Sequence, residues 1–336
     1  MIMKNIEVTF FYRKPIPSFH FSIERIFDDI KEALDKDIVF TRKKMPFFCE
    51  SRSNLLKNIR WSAKEQGAIN HITGDIHYIA LGLPKKNTIL TIHDINFMKR
   101  RNPIKVAESY LLWLLLPIMK SRIITVVSEE TKKDILKRVP FSEDKIRVIP
   151  NFYDPRYKPS PREFNKKKPV ILQIGTRKNK NMERVIEAIT GIECTLVVIG
   201  KYERELEDLL KSKQIDYRWR ENLSDADVMD EYTKCDLLCF VSTVEGFGMP
   251  ILEAQAIGRV VITSNVSSMP EVAADSALLV DPFSVEQIRD GILTLINDDA
   301  LREEFVRRGF ENVKRYEIQH IANMYRDLYY EIYANA

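Results

Sequence analysis

The chain has 336 residues, 45% hydrophobic and 30% charged, enough for about two domains with cores of their own. No apolar run approaches the roughly 20 residues of a membrane-spanning helix, and the start, Met-Ile-Met-Lys-Asn-Ile-Glu, meets charge before a signal-peptide core can form. The net charge of +4 hides an asymmetry: residues 1–150 hold 27 Lys and Arg against 17 Asp and Glu, and the remainder 25 against 31. In chain order, strands are predicted at 6–11, 37–40, 69–72, 88–93 and 123–127. They are short, rich in Val and Ile and apolar on both faces, the mark of a buried parallel sheet. Helices are expected at 22–34, with Ser22 as N-cap, and at 129–137 after Ser128. The apolar run 110–119, broken by Pro117, is expected to be a buried helix.

Residues 148–168 carry Pro150, Pro155, Pro159 and Pro161 and end in Lys166-Lys167-Lys168. They read as an interdomain linker. The alternation then restarts: strands at 170–174, 195–199, 237–241 and 260–262, helices at 182–189, 203–211 and 250–257. Residues 317–333 repeat apolar groups at Ile321, Tyr325, Leu328 and Ile332, a core-packing helix. The expected organisation is a first domain over 1–150, a linker over 151–169, a second domain over 170–316 and a final helix over 317–336. Two α/β domains joined this way leave a cleft, and ligands of such sheets bind beyond the carboxyl ends of the strands.

Chemistry is therefore sought just after the strands. The strongest signal is Val244-Glu245-Gly246-Phe247-Gly248-Met249-Pro250-Ile251-Leu252-Glu253. Gly246 and Gly248 permit close backbone approach, Pro250 suits a first helical turn, and a helix start attracts phosphate. Glu245 and Glu253 are carboxylates able to accept paired sugar hydroxyls. A second signal is Gly175-Thr176-Arg177-Lys178-Asn179-Lys180-Asn181, a basic loop that could neutralise a pyrophosphate. A third is Thr91-Ile92-His93-Asp94, a histidine at a strand end.

The 244–253 stretch resembles the Glu-(seven residues)-Glu motif of retaining glycosyltransferases of family 4, with the GT-B fold of two Rossmann-like domains. The resemblance runs on through Gly258 to Asn265, Met269-Pro270-Glu271-Val272 and Ala277 to Pro282, covering 170–336 and more weakly what precedes. It implies that Glu253 binds the nucleotide ribose and Glu245 the donor sugar. Gly175, Phe247, Gly248, Met249 and Leu252 would line the nucleotide-sugar pocket. Lys180 and a partner, Arg177 or Lys178, would hold the diphosphate, and His93 would touch the donor sugar. It implies retention at the anomeric carbon, no catalytic metal and no cofactor beyond the donor substrate. The usual glycine-rich loop after the first strand is replaced by Arg13-Lys14-Pro15-Ile16-Pro17-Ser18-Phe19-His20, so acceptor contacts there do not carry over.

The basic first half and the family's habits suggest a glycan or lipid-linked acceptor in cell-surface polysaccharide synthesis, at the inner face of an anionic membrane. A cytoplasmic location is expected. No aromatic–basic interleaving points to nucleic acid. On this reading the donor is UDP- or GDP-linked, and the alternatives kept open are a nucleotide-sugar epimerase or phosphorylase on the same fold, or a non-catalytic nucleotide-sugar-binding protein. Asp225-Ala226-Asp227 after Ser224 is read as helix-start charge, and Cys49, Cys194, Cys235 and Cys239 as neither metal nor Cys-x-x-Cys ligands.

Overall fold

The computed structural model describes residues 6–14, 22–34, 38–99 and 102–335. The chain divides into two compact units, Met1–Phe152 with Ile318–Ala336, and Tyr153–Glu317.

In the first unit β1 (Ile6–Tyr12), β2 (Ile38–Lys44), β3 (Ile69–Ile72), β4 (Thr88–Ile92), β5 (Ile123–Val126) and β6 (Ile146–Val148) form a parallel sheet in the order β2-β1-β3-β4-β5-β6. Parallel pairing demands crossovers, supplied by α1 (Ser22–Ala33), α2 (Arg52–Lys64), α3 (Pro103–Ser109), α4 (Leu116–Lys120) and α5 (Glu129–Leu136). All residues of β3, β4 and β5 are buried, as a sheet covered on both faces requires. β2 runs past the predicted 37–40 into Thr41-Arg42-Lys43-Lys44. It is an edge strand whose side chains alternate outward, so apolar patterning ended too early.

Between α3 and α4 the helix widens into a π-turn at Tyr110–Leu115. Pro117 has no N–H to give the carbonyl of Trp113. That oxygen instead accepts from His77 Nδ1 at 2.7 Å. The expectation of a buried helix here is corrected: Leu111 and Met119 are each nearly half exposed.

In the second unit β7 (Val170–Ile174), β8 (Thr195–Ile199), β9 (Asp216–Arg220), β10 (Leu237–Phe240), β11 (Val260–Ser264) and β12 (Leu278–Val280) form a parallel sheet in the order β12-β11-β10-β7-β8-β9. Its helices are α6 (Met182–Ile189), α7 (Arg204–Ser212), α8 (Asp225–Lys234), α9 (Met249–Ile257), α10 (Met269–Ala273), α11 (Val285–Asn297) and α12 (Asp299–Val313). The proline-rich run read as a linker is fastened to this unit from Tyr153 onward. Tyr157 packs edge-on against Tyr232, Ser160 N donates to Ile257 O, and buried Asp236 accepts from Arg162 Nε, Asn165 N and Val170 N.

The last helix, α13 (Ile318–Ala334), joins the first unit's core through Ile321, Tyr325, Leu328, Tyr329 and Ile332. Tyr329 Oη lies 2.8 Å from Nδ1 of fully buried His71, whose Nε2 meets Thr91 Oγ1 at 2.7 Å. Each unit is thus a Rossmann-like sheet. The order of strand addition reverses between β1 and β3 in the first and between β7 and β10 in the second.

Candidate active site

Ligands of open parallel sheets collect at such reversal points, beyond the carboxyl ends of the strands. In the second unit the loops leaving β7 and β10 converge there. Gly175 ends β7 with φ +87, and an added Cβ would come 2.9 Å from Lys180 Cγ. Only glycine lets the lysine stem lie back across the strand end. Lys180 Nζ then donates to Glu245 Oε1 at 2.7 Å and sits 4.7 Å over the Phe240 ring. Both partners of this ion pair are largely buried, with side-chain exposures of 19% and 16%. An ammonium has three donors, so the pair leaves Lys180 further N–H groups for an anion.

The Glu245 loop is pinned from behind. Ser267 Oγ accepts from Glu245 N at 3.1 Å and donates to Glu245 O at 2.8 Å. Ser268 Oγ donates to Phe247 O. Asn179 Nδ2 donates to Val244 O and, at 3.3 Å, to Glu245 Oε1. Asn181, left-handed at φ 62 and buried, ties the two loops together by donating to Val241 O and Pro282 O. Gly248, at φ +123, turns the chain into α9, whose first turn holds Met249 and Pro250.

On α9, Glu253 Oε2 accepts from Tyr232 Oη at 2.6 Å. Burial and the neighbouring carboxylate push the Tyr232 phenol well above its ordinary range, so it stays a donor. Arg177 and Lys178 are exposed, and neither makes a side-chain hydrogen bond or ion pair among the described residues, which leaves both open as the second cation. Leu252 is fully buried and Phe247 nearly so, its ring edge-on to Tyr316. As side chains they offer a ligand little surface.

The reversal point of the first unit has a different make-up. Arg13, at the end of β1, pairs with Glu24 at 2.8 Å and with Asp75, beyond β3, at 2.6 Å. His93 follows β4, partly buried, and its Nε2 lies 2.8 Å from Thr73 O. A carbonyl only accepts, so Nε2 carries the proton and Nδ1 keeps its lone pair. Burial lowers the His93 pKa, which favours this neutral form. Gly74, at φ +143, makes room: a Cβ there would come 2.7 Å from His93 Cδ2. Asp94 does not orient the imidazole; its Oδ1 accepts from Asn96 N. Residues 15–20 of the loop after β1 lie outside the described residues.

Two family profiles match adjoining parts of the chain: Glycosyltransferase Family 4 over residues 3–157 and Glycosyl transferases group 1 over residues 157–312. The chain belongs to the group 1, family 4 glycosyltransferases. It is 40% identical over 92 residues to an O-antigen chain mannosyltransferase B of Escherichia coli, a match covering 27% of this chain and 24% of that one. It is 24% identical over 233 residues to the N-acetyl-alpha-D-glucosaminyl L-malate synthase of Bacillus anthracis, covering 64% of this chain and 61% of that one. The matches thus span less than two thirds of these relatives' own lengths. Among solved structures, a sucrose-phosphate synthase from Thermosynechococcus elongatus shares the fold at a TM-score of 0.77 over 98% of this chain and all of that one, at 14% identity. The architecture is GT-B in class, two Rossmann-like parallel sheets.

Within this family member, sequence reading missed Tyr232, Asn179, Ser267 and Ser268. Ser267-Ser268 precede the Met269-Pro270 helix start but carry no spacing signal of their own. Asp227 turns out to close a capping box, accepting from Ser224 N while Ser224 Oγ accepts from Asp227 N. A cavity of about 760 Å³ opens at the opposite, amino-terminal ends of β10 and β11. Its buried walls, Arg259 and Arg302, direct their N–H groups mainly to backbone carbonyls, so it lacks the convergent donors of the loop end.

Proposed function

We propose that the protein transfers a sugar from a nucleoside diphosphate donor to a hydroxyl of a glycan or lipid-linked acceptor, with retention at the anomeric carbon. The observation that carries this reading is Lys180 Nζ held 2.7 Å from Glu245 at the reversal point beside the start of α9. In this reading Glu253 takes the ribose hydroxyls and Glu245 those of the sugar. Lys180 and Arg177 hold the diphosphate. As the anomeric carbon–oxygen bond breaks, its electron pair goes to the phosphate oxygen, and the two cations stabilise that charge. The acceptor oxygen bonds to the same face of the anomeric carbon and its proton passes to the departing phosphate. His93 accepts a hydroxyl at Nδ1 during transfer. The cations supply the positive charge at the leaving group, so turnover is expected to persist in chelator.

The test is Lys180→Ala at saturating donor. Turnover should fall about 10²-fold or more, the scale of one lost charge stabiliser; near-normal turnover would remove the role. Product anomers resolved by NMR test retention. An epimerase would convert donor without acceptor, and a binding protein would release no nucleoside diphosphate.

The O-antigen mannosyltransferase among the relatives supports a place in polysaccharide synthesis. On the first unit, Ile104, Leu111 and Met119 are exposed at spacings of one helical face along α3, the π-turn and α4, beside Lys105 and Lys120. With the basic balance of residues 1–150, this supports contact with an anionic lipid surface. No described helix is long and apolar enough to cross a membrane. Sedimentation with anionic vesicles should show salt-sensitive binding, lost on Leu111→Glu; binding unchanged by salt and by that substitution would rule the contact out.

A further inference from the structure

We propose that Arg220 reads the base of the donor nucleotide and that the base is guanine. The inference rests on the reading of the second unit as the donor-binding unit, and it narrows the donor to one linked to GDP.

Arg220 is the last residue of β9, at the carboxyl edge of the same sheet. Gly200 N donates to Arg220 O at 3.0 Å, which ties this end to the end of β8. Arg220 Nε donates to Glu231 Oε1 at 3.0 Å. The two partners differ sharply in exposure: the Glu231 side chain is 4% exposed and that of Arg220 46%. The guanidinium is therefore held along its inner edge by a carboxylate sealed in the fold. Its two terminal nitrogens make no hydrogen bond among the described residues and form a planar outer edge of N–H donors.

This pair is poorly explained as a stabilising device. Burying a carboxylate costs more than a half-exposed ion pair returns. Glu231 Oε2 is also buried without a hydrogen-bond partner, a further cost. Two apolar side chains would serve a fold better here. What the arrangement does provide is a guanidinium fixed in orientation with a donor edge left open.

The neighbourhood indicates what meets that edge. Glu231 directly precedes Tyr232 on α8, and Tyr232 Oη holds Glu253, the carboxylate read as the ribose ligand. The base bonded to that ribose comes near the same segment. Asp227, in the first turn of α8, is engaged in its capping box and does not close the edge. A planar pair of donors fits two acceptors side by side. Guanine offers O6 and N7 on one edge, adenine replaces O6 with a donor, and uracil has no second acceptor beside its O4. The diphosphate has its own cations on the loop after β7.

The experiment is calorimetric titration of GDP, UDP and ADP into the full chain and its Arg220→Ala and Arg220→Lys variants. The wild type should bind GDP at least about tenfold tighter than UDP or ADP, the discrimination expected of one bidentate base contact. Arg220→Ala should lose that preference while its UDP affinity changes less than about twofold, which also shows the variant is folded. Arg220→Lys keeps the charge but not the planar edge and should behave like Arg220→Ala. Equal losses for GDP and UDP would make Arg220 a phosphate cation and overturn the proposal. So would a wild-type preference for UDP or ADP, or a GDP preference that survives in Arg220→Ala, with the donor-binding reading intact. Failure of the wild type to bind any of the three would instead sink the proposed function itself.

Discussion

The two reversal points share a topology but not a chemistry. In the second unit the candidate groups are locked to one another: Lys180 to Glu245, Asn179 and Ser267 to the Glu245 loop, Tyr232 to Glu253. In the first unit the corresponding loops carry a cation, Arg13, shared between partly buried Glu24 and half-exposed Asp75, and a histidine, His93, tied to a backbone carbonyl. A site built of mutually satisfied groups is prearranged for a ligand of fixed chemistry. A site whose charges sit on loops can be rebuilt without disturbing the sheet beneath it. The comparison teaches that the same β-α-β scaffold can fix one ligand and leave another to vary. The largest effect that could break it is in turnover. Lys180→Ala should cost about 10²-fold or more, whereas Arg13→Ala, losing one partly buried and one half-exposed ion pair that hold its own loop, should cost under about tenfold. Equal losses at saturating substrates would erase the contrast.

The units also differ in how they meet acid. Every histidine of the chain falls in the first unit, none within Tyr153–Glu317. Burial lowers His71 to about 3, and lowers His77 and His93 as well. An unfolded histidine titrates near about 6.5. Between that pH and the folded value the unfolded chain binds a proton that the folded chain refuses. Stability therefore falls as pH drops below about 6.5, by about 1.4 kcal/mol per pH unit for His71, with His77 and His93 adding in the same direction. Above about 6.5 the effect vanishes. Urea melts between pH 7 and 5 should show Trp61 and Trp113 fluorescence losing its midpoint before that of Trp219, the tryptophan of the second unit. His71→Gln is expected to be less stable at pH 7 but to decline less steeply. Parallel decline of both units would refute the assignment to buried histidine.

Much of this was legible in the sequence where the backbone itself imposes the residue. Gly175, Gly248 and Pro250 are demanded by φ and by a helix start, so their spacing marked the loops that carry Lys180 and Glu245 and the helix that carries Glu253. Strands buried on both faces, such as β4 and β5, announced themselves by continuous apolar runs. What escaped depends on contacts between distant segments. Tyr232 reaches Glu253 across 21 residues and Asn179 reaches Glu245 across 66, with no period linking them. β9, Asp-Tyr-Arg-Trp-Arg, is an edge strand with charges on its exposed side, so hydropathy hid it although Arg220 ends it. β6 and β12 have only three residues each, too few for a pattern.

A finer test asks whether the second unit's locking matters to chemistry or only to binding. Tyr232→Phe removes one hydroxyl from Glu253 and keeps the ring against Tyr157. One hydrogen bond to a carboxylate contributes on the order of 1 kcal/mol, or about fivefold in affinity. On the proposed reading Glu253 holds the donor's ribose, which lies away from the bond that breaks, so this contact would be the same in the bound donor and in the transition state. Losing it should raise donor KM about fivefold and leave kcat within about twofold, the pattern of lost uniform binding. A fall in kcat at unchanged KM would mean that Glu253, through α9, also sets the geometry of Glu245 and Lys180. The ribose and sugar halves of the site would then act as one unit, and the prearrangement argued above would be a single cooperative device, not two independent contacts.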